Sequence, residues 1–432
     1  MKLFNRRYTP LLIYILYILF VFCALFLSPL KYVDIELPML LFFMLGVGMF
    51  FFVGYVVAVS GHFASAHEFR SSLKSIPSSV QLLSKVLLGL GLIAVTVDWV
   101  GFLQTSSSLK FSSLGESYID SYDGYERGQA KIDVFYILRI LSHTVLALCL
   151  AFSSYYFSSY SAKMKLGFLF VILSYLVIQV LGSGKQKYLG DCVIAFGVFI
   201  MFFRARQLKI SKVRLLLFAG VGGALIFYLF VEILKQRYVA AGIGVENISE
   251  KVHPLIYWEL DSYIFDLIGD EYGFALGIFL GYFTNGLYGL SLCLQLPFQW
   301  TYMVGNSYSL TRIVEIIMGE DKLIYSATYP YRAGIEFGWN ETKWHSLFSW
   351  MASDISFFGT IIFSGVFGAF YGLLWRQSIN FSNPISGPLF SLLTLGLIFS
   401  LANNQLMHSL SGILSLVSLL LMWVFWPRIK RN

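Results

Sequence analysis

Residues 38–60 read PMLLFFMLGVGMFFFVGYVVAVS, a run without one charged side chain. A helix needs about 20 apolar residues to cross the hydrocarbon core of a bilayer. Only helices and closed barrels satisfy their own backbone polar groups in lipid. The run is continuously apolar and does not alternate, which argues against a barrel strand. Similar runs recur at 10–30, 81–104, 134–157, 166–182, 188–203, 215–233, 357–375, 387–403 and 409–426. The expected fold is all-α, a polytopic integral membrane helical bundle of about 10–12 transmembrane helices forming a single membrane domain over residues 1–432.

Composition agrees with this. Of 432 residues, 57% are hydrophobic and 13% charged, where soluble domains carry about 25% charged residues. The first run follows Lys2, Arg6 and Arg7 but is too long for a signal peptide and lacks a small-residue cleavage site, so it reads as a retained span. Cys23, Cys149, Cys192 and Cys293 sit in apolar surroundings without C-x-x-C spacing, as buried small hydrophobes do.

Charge orients the spans. With the N-terminus inside, the inside segments carry Arg70 and Lys74, Lys163 and Lys165, the basic run 204–214, Arg376, and Arg428, Lys430 and Arg431. The loop 106–133 falls outside and is acidic. Both termini are therefore expected on the cytoplasmic side. The net charge of +7 reflects orientation and headgroup contact. No basic patch exceeds that need, so nucleic acid is not an expected partner.

One segment differs from the rest. Residues 234–356 hold 13 carboxylates against 7 Lys and Arg, and read as one large loop on the far side of the membrane. Within it, no charge occurs from Tyr272 to Thr311. The Gly- and aromatic-rich part 273–296 is expected to lie in the membrane plane or re-enter it, since a single crossing would put Arg376 and the C-terminal cations outside. A pair of spans is the second choice.

Ionisable residues at membrane depth cluster at the outward ends of the spans: Asp98, then Arg139 and His143 on one helical face, then Lys185, Lys187 and Asp191, then Glu232, Lys235 and Arg237. Such placement suggests a wet, charged, outward-facing cavity; interfacial anchoring is the plainer reading. The stretch 325–354 interleaves Trp and Tyr with Arg332, Glu336, Glu341 and His345. Aromatic faces beside hydrogen-bonding side chains suit sugar rings. An aromatic belt would explain the rings but not the charges. Gly182-Ser183-Gly184-Lys185 lacks the full spacing of a phosphate loop, although its backbone could approach a phosphate. Glu259 and Asp261 make only a weak divalent-ion signal.

The layout resembles the bacterial O-antigen polymerases, the oligosaccharide repeat-unit polymerase family. The resemblance covers most of the chain as layout. Its more specific pieces are Gly182-Ser183-Gly184-Lys185 after a span, and Asn340-Glu341-Thr342 leading to Asp354-Ile355-Ser356-Phe357-Phe358-Gly359. The chain departs from the pattern in the spacing of Asp354 from Gly359 and in having Lys185 where Arg is expected.

The resemblance implies a glycosyltransferase of the bacterial inner membrane. It would move a growing glycan from one undecaprenyl diphosphate carrier onto a second lipid-linked repeat unit, on the periplasmic face. Arg237, Arg312, Arg332, Lys185 and Lys187, with Arg139 behind them, are the candidates for holding the diphosphate. Glu336, His345 and Asp354 are the candidates for the general base. Fixed cations beside a diphosphate do not demand a metal, so neither metal nor cofactor is expected. Membrane lipids and a chain-length regulator protein are the further implied partners. Competing readings are an O-antigen ligase, a flippase or other transporter for lipid-linked oligosaccharide, and an assembly protein without activity.

Overall fold

The computed structural model describes residues 7–61, 77–105, 134–181, 192, 212–340 and 343–426. The structure is almost entirely helical. In chain order the elements are α1 (Thr9–Leu27), β1 (Leu30–Tyr32), α2 (Leu37–Val59), α3 (Ser78–Thr105), α4 (Val134–Tyr156), α5 (Ala162–Leu181), α6 (Lys212–Ala240), β2 (Ile256–Trp258), α7 (Tyr263–Ile268), α8 (Asp270–Cys293), α9 (Tyr308–Met318), α10 (Tyr329–Phe337), α11 (Leu347–Asn380), α12 (Ser386–Ile398) and α13 (Leu410–Phe425).

Among the described residues, six helices are long and apolar enough to cross a membrane: α1, α2, α8, α11 and the apolar parts of α3 and α4. Large apolar side chains on them point outward, as with Phe42 at 78% and Leu45 at 71% exposure, while Val47 and Phe51 of the same helix are buried. A helix wet on that face would lose free energy; one in lipid does not. The chain is an α-helical membrane protein. The run at 166–182 falls within α5 as far as Leu181, that at 215–233 within α6, and 357–375 within α11. The last two runs form the shorter helices α12 and α13, of 13 and 16 residues. The run at 188–203 lies outside the described residues.

The described chain divides into two compact units. The second holds residues 77–253 and 260–276. In it α3 and α4 run antiparallel at close range: Ser142 Oγ donates to the Ala94 carbonyl at 3.2 Å, and a Cβ on Gly91 would fall 2.6 Å from Cys149 Sγ. α5 returns along α3. Lys235 of α6 pairs with Glu232 at 3.2 Å and with Glu271.

The first unit holds α1, α2, most of α8 and everything after it. Its spine is the contact of α2 with α11. Phe43 meets Phe348 and Phe357, Gly54 meets Gly365, Gly372 meets Tyr55, and Gly61 meets Arg376. The two helices therefore run side by side in the same direction. α1 runs the opposite way, with Tyr14 on Phe51 and the Tyr55 hydroxyl donating to the Arg7 carbonyl. β1 pairs antiparallel with β2, Lys31 opposite Tyr257.

The connector from α1 to α2 then follows α8. Pro29 touches Gly277. The Tyr32 hydroxyl reaches Thr284 Oγ1 at 2.6 Å and Asn285 Oδ1 at 2.7 Å. The Glu36 N–H donates to Ser291 Oγ at 3.0 Å. The stretch from Gly277 to Ser291 is about 21 Å long at 1.5 Å per residue, yet both its ends stay with one short connector. α8 is long enough to cross, but this stretch runs beside the turn that joins two spans.

A helix so tied keeps its following chain on the connector's side. Cysteines placed at the exposed positions Glu36 and Glu320 should react with a membrane-impermeant maleimide from one side of the membrane, and one at exposed Ser60 from the other. Reaction of Glu320→Cys together with Ser60→Cys would mean that α8 crosses.

Candidate functional site

The polar centre of the first unit is built around the start of α11, α9, α10 and the chain on either side of them. α11 begins at Ser346, whose side chain accepts from the Ser349 N–H. It is interrupted at Ser356, where φ is 62° and ψ 167°. Nine residues of helix thus precede a break, and the last turn of that piece carries Asp354.

Asp354 is buried and fully engaged. Its Oδ1 accepts from Thr301 Oγ1 at 2.6 Å and from the Gly305 N–H at 2.9 Å; its Oδ2 accepts from the Asn306 N–H at 2.8 Å. The segment it clasps contains Tyr302 and Met303, both with positive φ (56° and 66°). Such backbone is strained for residues with side chains and persists only where its surroundings hold it. The held turn leaves Trp300 and Tyr302 more than half exposed. Asn404, from the chain between α12 and α13, closes the other side through Nδ2 to the Asn306 carbonyl at 2.5 Å and to its Oδ1 at 2.9 Å.

A second buried carboxylate, Glu315 of α9, repeats the arrangement. It is 0% exposed. Its Oε1 accepts from the Ile324 and Tyr325 N–H groups at 2.9 and 2.7 Å, and its Oε2 from Arg312 Nη1 at 2.7 Å. Arg312 also reaches Asp321 at 3.3 Å. Its partial burial opposes the charge, but Asp321 and Glu315 outweigh this and raise its pKa. Arg312 is thereby held and neutralised.

Arg332 is different. α10 is capped by the Thr328 side chain, carries Pro330 in its first turn, and ends at Gly338 in the left-handed region. The guanidinium of Arg332 lies 4.8 Å from the centre of the Tyr329 ring, a cation–π contact. Its Nε and Nη2 are buried without a hydrogen-bond partner. Burial lowers its pKa, although a guanidinium stays protonated. A half-buried cation with two open, buried donors is the feature here best suited to an oxyanion.

The three expected acid–base groups separate by environment. His345 is 1% exposed. Its Nε2 lies 3.2 Å from the Trp339 carbonyl and its Nδ1 3.8 Å from Cys293 Sγ. Burial pulls its pKa down to about 4, so the ring is neutral at pH 7. Gly289 permits this packing, since a Cβ there would stand 3.0 Å from His345 Nδ1 and from Trp339 Nε1. Asp354 spends both oxygens on the clasp. Glu336 is exposed on α10, one turn beyond Arg332 and so on the same helical face.

Arg312, Arg332, Glu336, His345 and Asp354 all belong to the first unit; Arg139, exposed on α4, and Arg237, half-buried at the end of α6, belong to the second. Lys185 and Lys187 lie outside the described residues. Among those residues no group of three or more His, Cys, Asp or Glu is placed to hold a metal. The sequence reading passed over Glu315, Thr301 and Asn404. Three consecutive amides, Asn403, Asn404 and Gln405, between apolar runs were a usable signal for the last. Comparison with protein-family models, curated proteins and solved structures finds no match to this chain.

Two stability predictions follow from these environments. Glu315→Ala strips Arg312 of its buried partner and two N–H groups of their acceptor. It should cost about 3–5 kcal/mol in denaturant unfolding in detergent micelles, while Glu320→Ala on the surface should cost little. His345 binds its proton less tightly folded, at about 4, than unfolded, at about 6.5. Over that window the unfolded state holds more protons, so stability rises with pH and is flat above it. Taking the wild type from pH 7 to pH 4 should cost about 3 kcal/mol from this group, and His345→Gln should remove that share of the slope.

Proposed function

We propose that this chain is a bacterial inner-membrane glycosyltransferase that polymerises undecaprenyl-diphosphate-linked oligosaccharide repeat units into O-antigen or a similar surface polysaccharide on the periplasmic face. The observation that carries the reading is Arg332, a half-buried cation with two unpartnered donors on a short helix rich in aromatic side chains. The donor's diphosphate gathers charge as its bond to the anomeric carbon breaks. Fixed guanidinium donors stabilise that charge most in the transition state. The acceptor hydroxyl oxygen forms the new bond to the same carbon and gives up its proton. Glu336, exposed and one turn from Arg332, is the base we favour, because His345 is buried and weakly basic and Asp354 has both oxygens bonded. His345 and Asp354 then act by position. The loop 234–356 would lie wholly on the periplasmic side, with residues 277–291 along the membrane surface beside the α1–α2 connector, which agrees with the cytoplasmic placement of Arg376.

One observation favours a second reading, a transporter for lipid-linked oligosaccharide. Asp98 and His143, from two candidate spans, are both buried, and intramembrane ionisable pairs often belong to transport pathways.

In a strain carrying the matching sugar genes, loss of this chain should leave surface lipopolysaccharide capped with a single repeat unit. Arg332→Ala should keep the protein at wild-type level in the membrane and give the same single-unit pattern, Arg332→Lys should restore part of the long chains, and Glu336→Gln should abolish them. Loss of every repeat unit, with no single-unit species, would favour a transporter or ligase. Normal chain lengths in Arg332→Ala would remove its role.

A further inference from the structure

Asp98 of α3 and His143 of α4 face each other inside the second unit. Asp98 is 6% exposed and His143 8%. Asp98 Oδ2 and His143 Nε2 lie 3.9 Å apart, and each of these atoms is buried without a hydrogen-bond partner. Asp98 Oδ1 is held by Ser142 Oγ at 3.3 Å. Buried polar atoms are nearly always bonded, and two such atoms left open toward each other across 3.9 Å are an exception that asks for a ligand. The gap is too long for a direct hydrogen bond and about 1 Å wider than one requires.

The surrounding charges are few. Arg139 stands one turn from His143 on α4, and it bears electrostatically on both groups. The other charged residue of α3 is Lys85, about 20 Å away along the helix. α5, which also packs on α3, carries only Lys163 and Lys165, in its first turn. That turn follows Tyr160, whose hydroxyl donates to Ser153 Oγ at 3.1 Å, about 15 Å along α4 from His143.

We propose that Asp98 and His143 form an intramembrane proton-binding site, in which one proton held between Oδ2 and Nε2 closes the gap. The proton comes from water. With the neutral imidazole carrying its N–H on Nδ1, Oδ2 and Nε2 are facing acceptors; a proton bound at either atom makes them a donor and an acceptor, and takes the pair from a net charge of −1 to neutral. Arg139 balances the anionic form, so neither state leaves an isolated charge in the low-dielectric interior. Closing the gap draws α3 and α4 together by a rotamer adjustment, which links their packing to pH. The site lies on different residues from Arg332 and does not rest on the polymerase reading.

The test is pH-induced infrared difference spectroscopy of the full-length protein in lipid nanodiscs. A protonated-carboxyl C=O stretch should grow as pH falls, vanish in Asp98→Asn, and shift its midpoint by about one pH unit or more in His143→Gln. Ser142→Ala keeps both titrating groups and should move the band's frequency, which serves where Asp98→Asn fails to accumulate. Absence of a titrating carboxyl band, or its survival in Asp98→Asn with an unmoved band in Ser142→Ala, overturns the proposal. A midpoint that moves when sodium replaces choline at fixed pH would make the site a cation site and overturn it as well.

Discussion

Backbone lies against backbone where α2 meets α11, and the rest of the first unit takes its position from that contact. A Cβ on Gly54 would fall 2.0 Å from the Gly365 carbonyl oxygen, and one on Gly368 would fall 2.3 Å from that of Phe51. Ser364 Oγ bonds the Val47 carbonyl at 3.0 Å between them. Lipid offers helices no hydrophobic reason to associate, so close approach through small residues supplies the attraction. It also fixes register, because the small residues meet in only one alignment. With α11 so placed, the break at Ser356 comes at a fixed height. The helix resumes at once, Ser356 Oγ accepting from the Gly359 N–H at 3.2 Å. The short piece before the break is free to turn its own way and to carry Asp354 to the polar centre.

Two buried carboxylates then organise what surrounds α9 and α10. Asp354 and Glu315 each accept two backbone N–H groups, on a turn at Gly305 and Asn306 and at the start of the short 3-10 turn Tyr325–Ala327. Buried backbone must be bonded, and irregular chain in an apolar setting finds few acceptors. The two acids meet that need, and hydrogen bonds to a charged acceptor are the strong ones. Their engagement is what sets Arg332 apart. With Glu315 committed to Arg312 and to backbone, and Asp354 to its turn, no carboxylate among the described residues pairs with the Arg332 guanidinium.

The spans were legible because their signal is composition over a long window, which tertiary packing does not need to refine. α1, α2 and α4 fall within a few residues of the boundaries read from apolar runs. The sides of the site were less so. Nothing in sequence separates Glu315, wholly buried, from exposed Glu320 five residues on. Asp354 and His345 stood out as ionisable residues among aromatics, but whether an acid is an organiser or a reagent depends on which N–H groups reach it, and those come from residues about 50 positions away. The uncharged middle of the long segment was ambiguous for a related reason. Hydropathy reports that a helix avoids water; only the contacts of Gly277 and Ser291 with one connector report its direction.

α9 adds a constraint that joins these observations. Its buried face carries Thr311 and Glu315, whereas Ile317 is 78% exposed and Ile316 59%. A helix in a water-soluble protein buries the opposite face. At 11 residues α9 is about 16 Å long and cannot cross a bilayer, so its apolar side meets lipid only if the helix lies along the interface. Trp300 and Tyr302, exposed on the neighbouring turn, are the residue types that favour the same depth. The polar centre then sits just inside the membrane boundary with lipid along one flank. Under the proposed function that placement has a physical reason. A diphosphate tethered to a long isoprenoid cannot leave the headgroup layer, and a cation meant to hold it has to wait at that depth, partly stripped of water and without a carboxylate of its own.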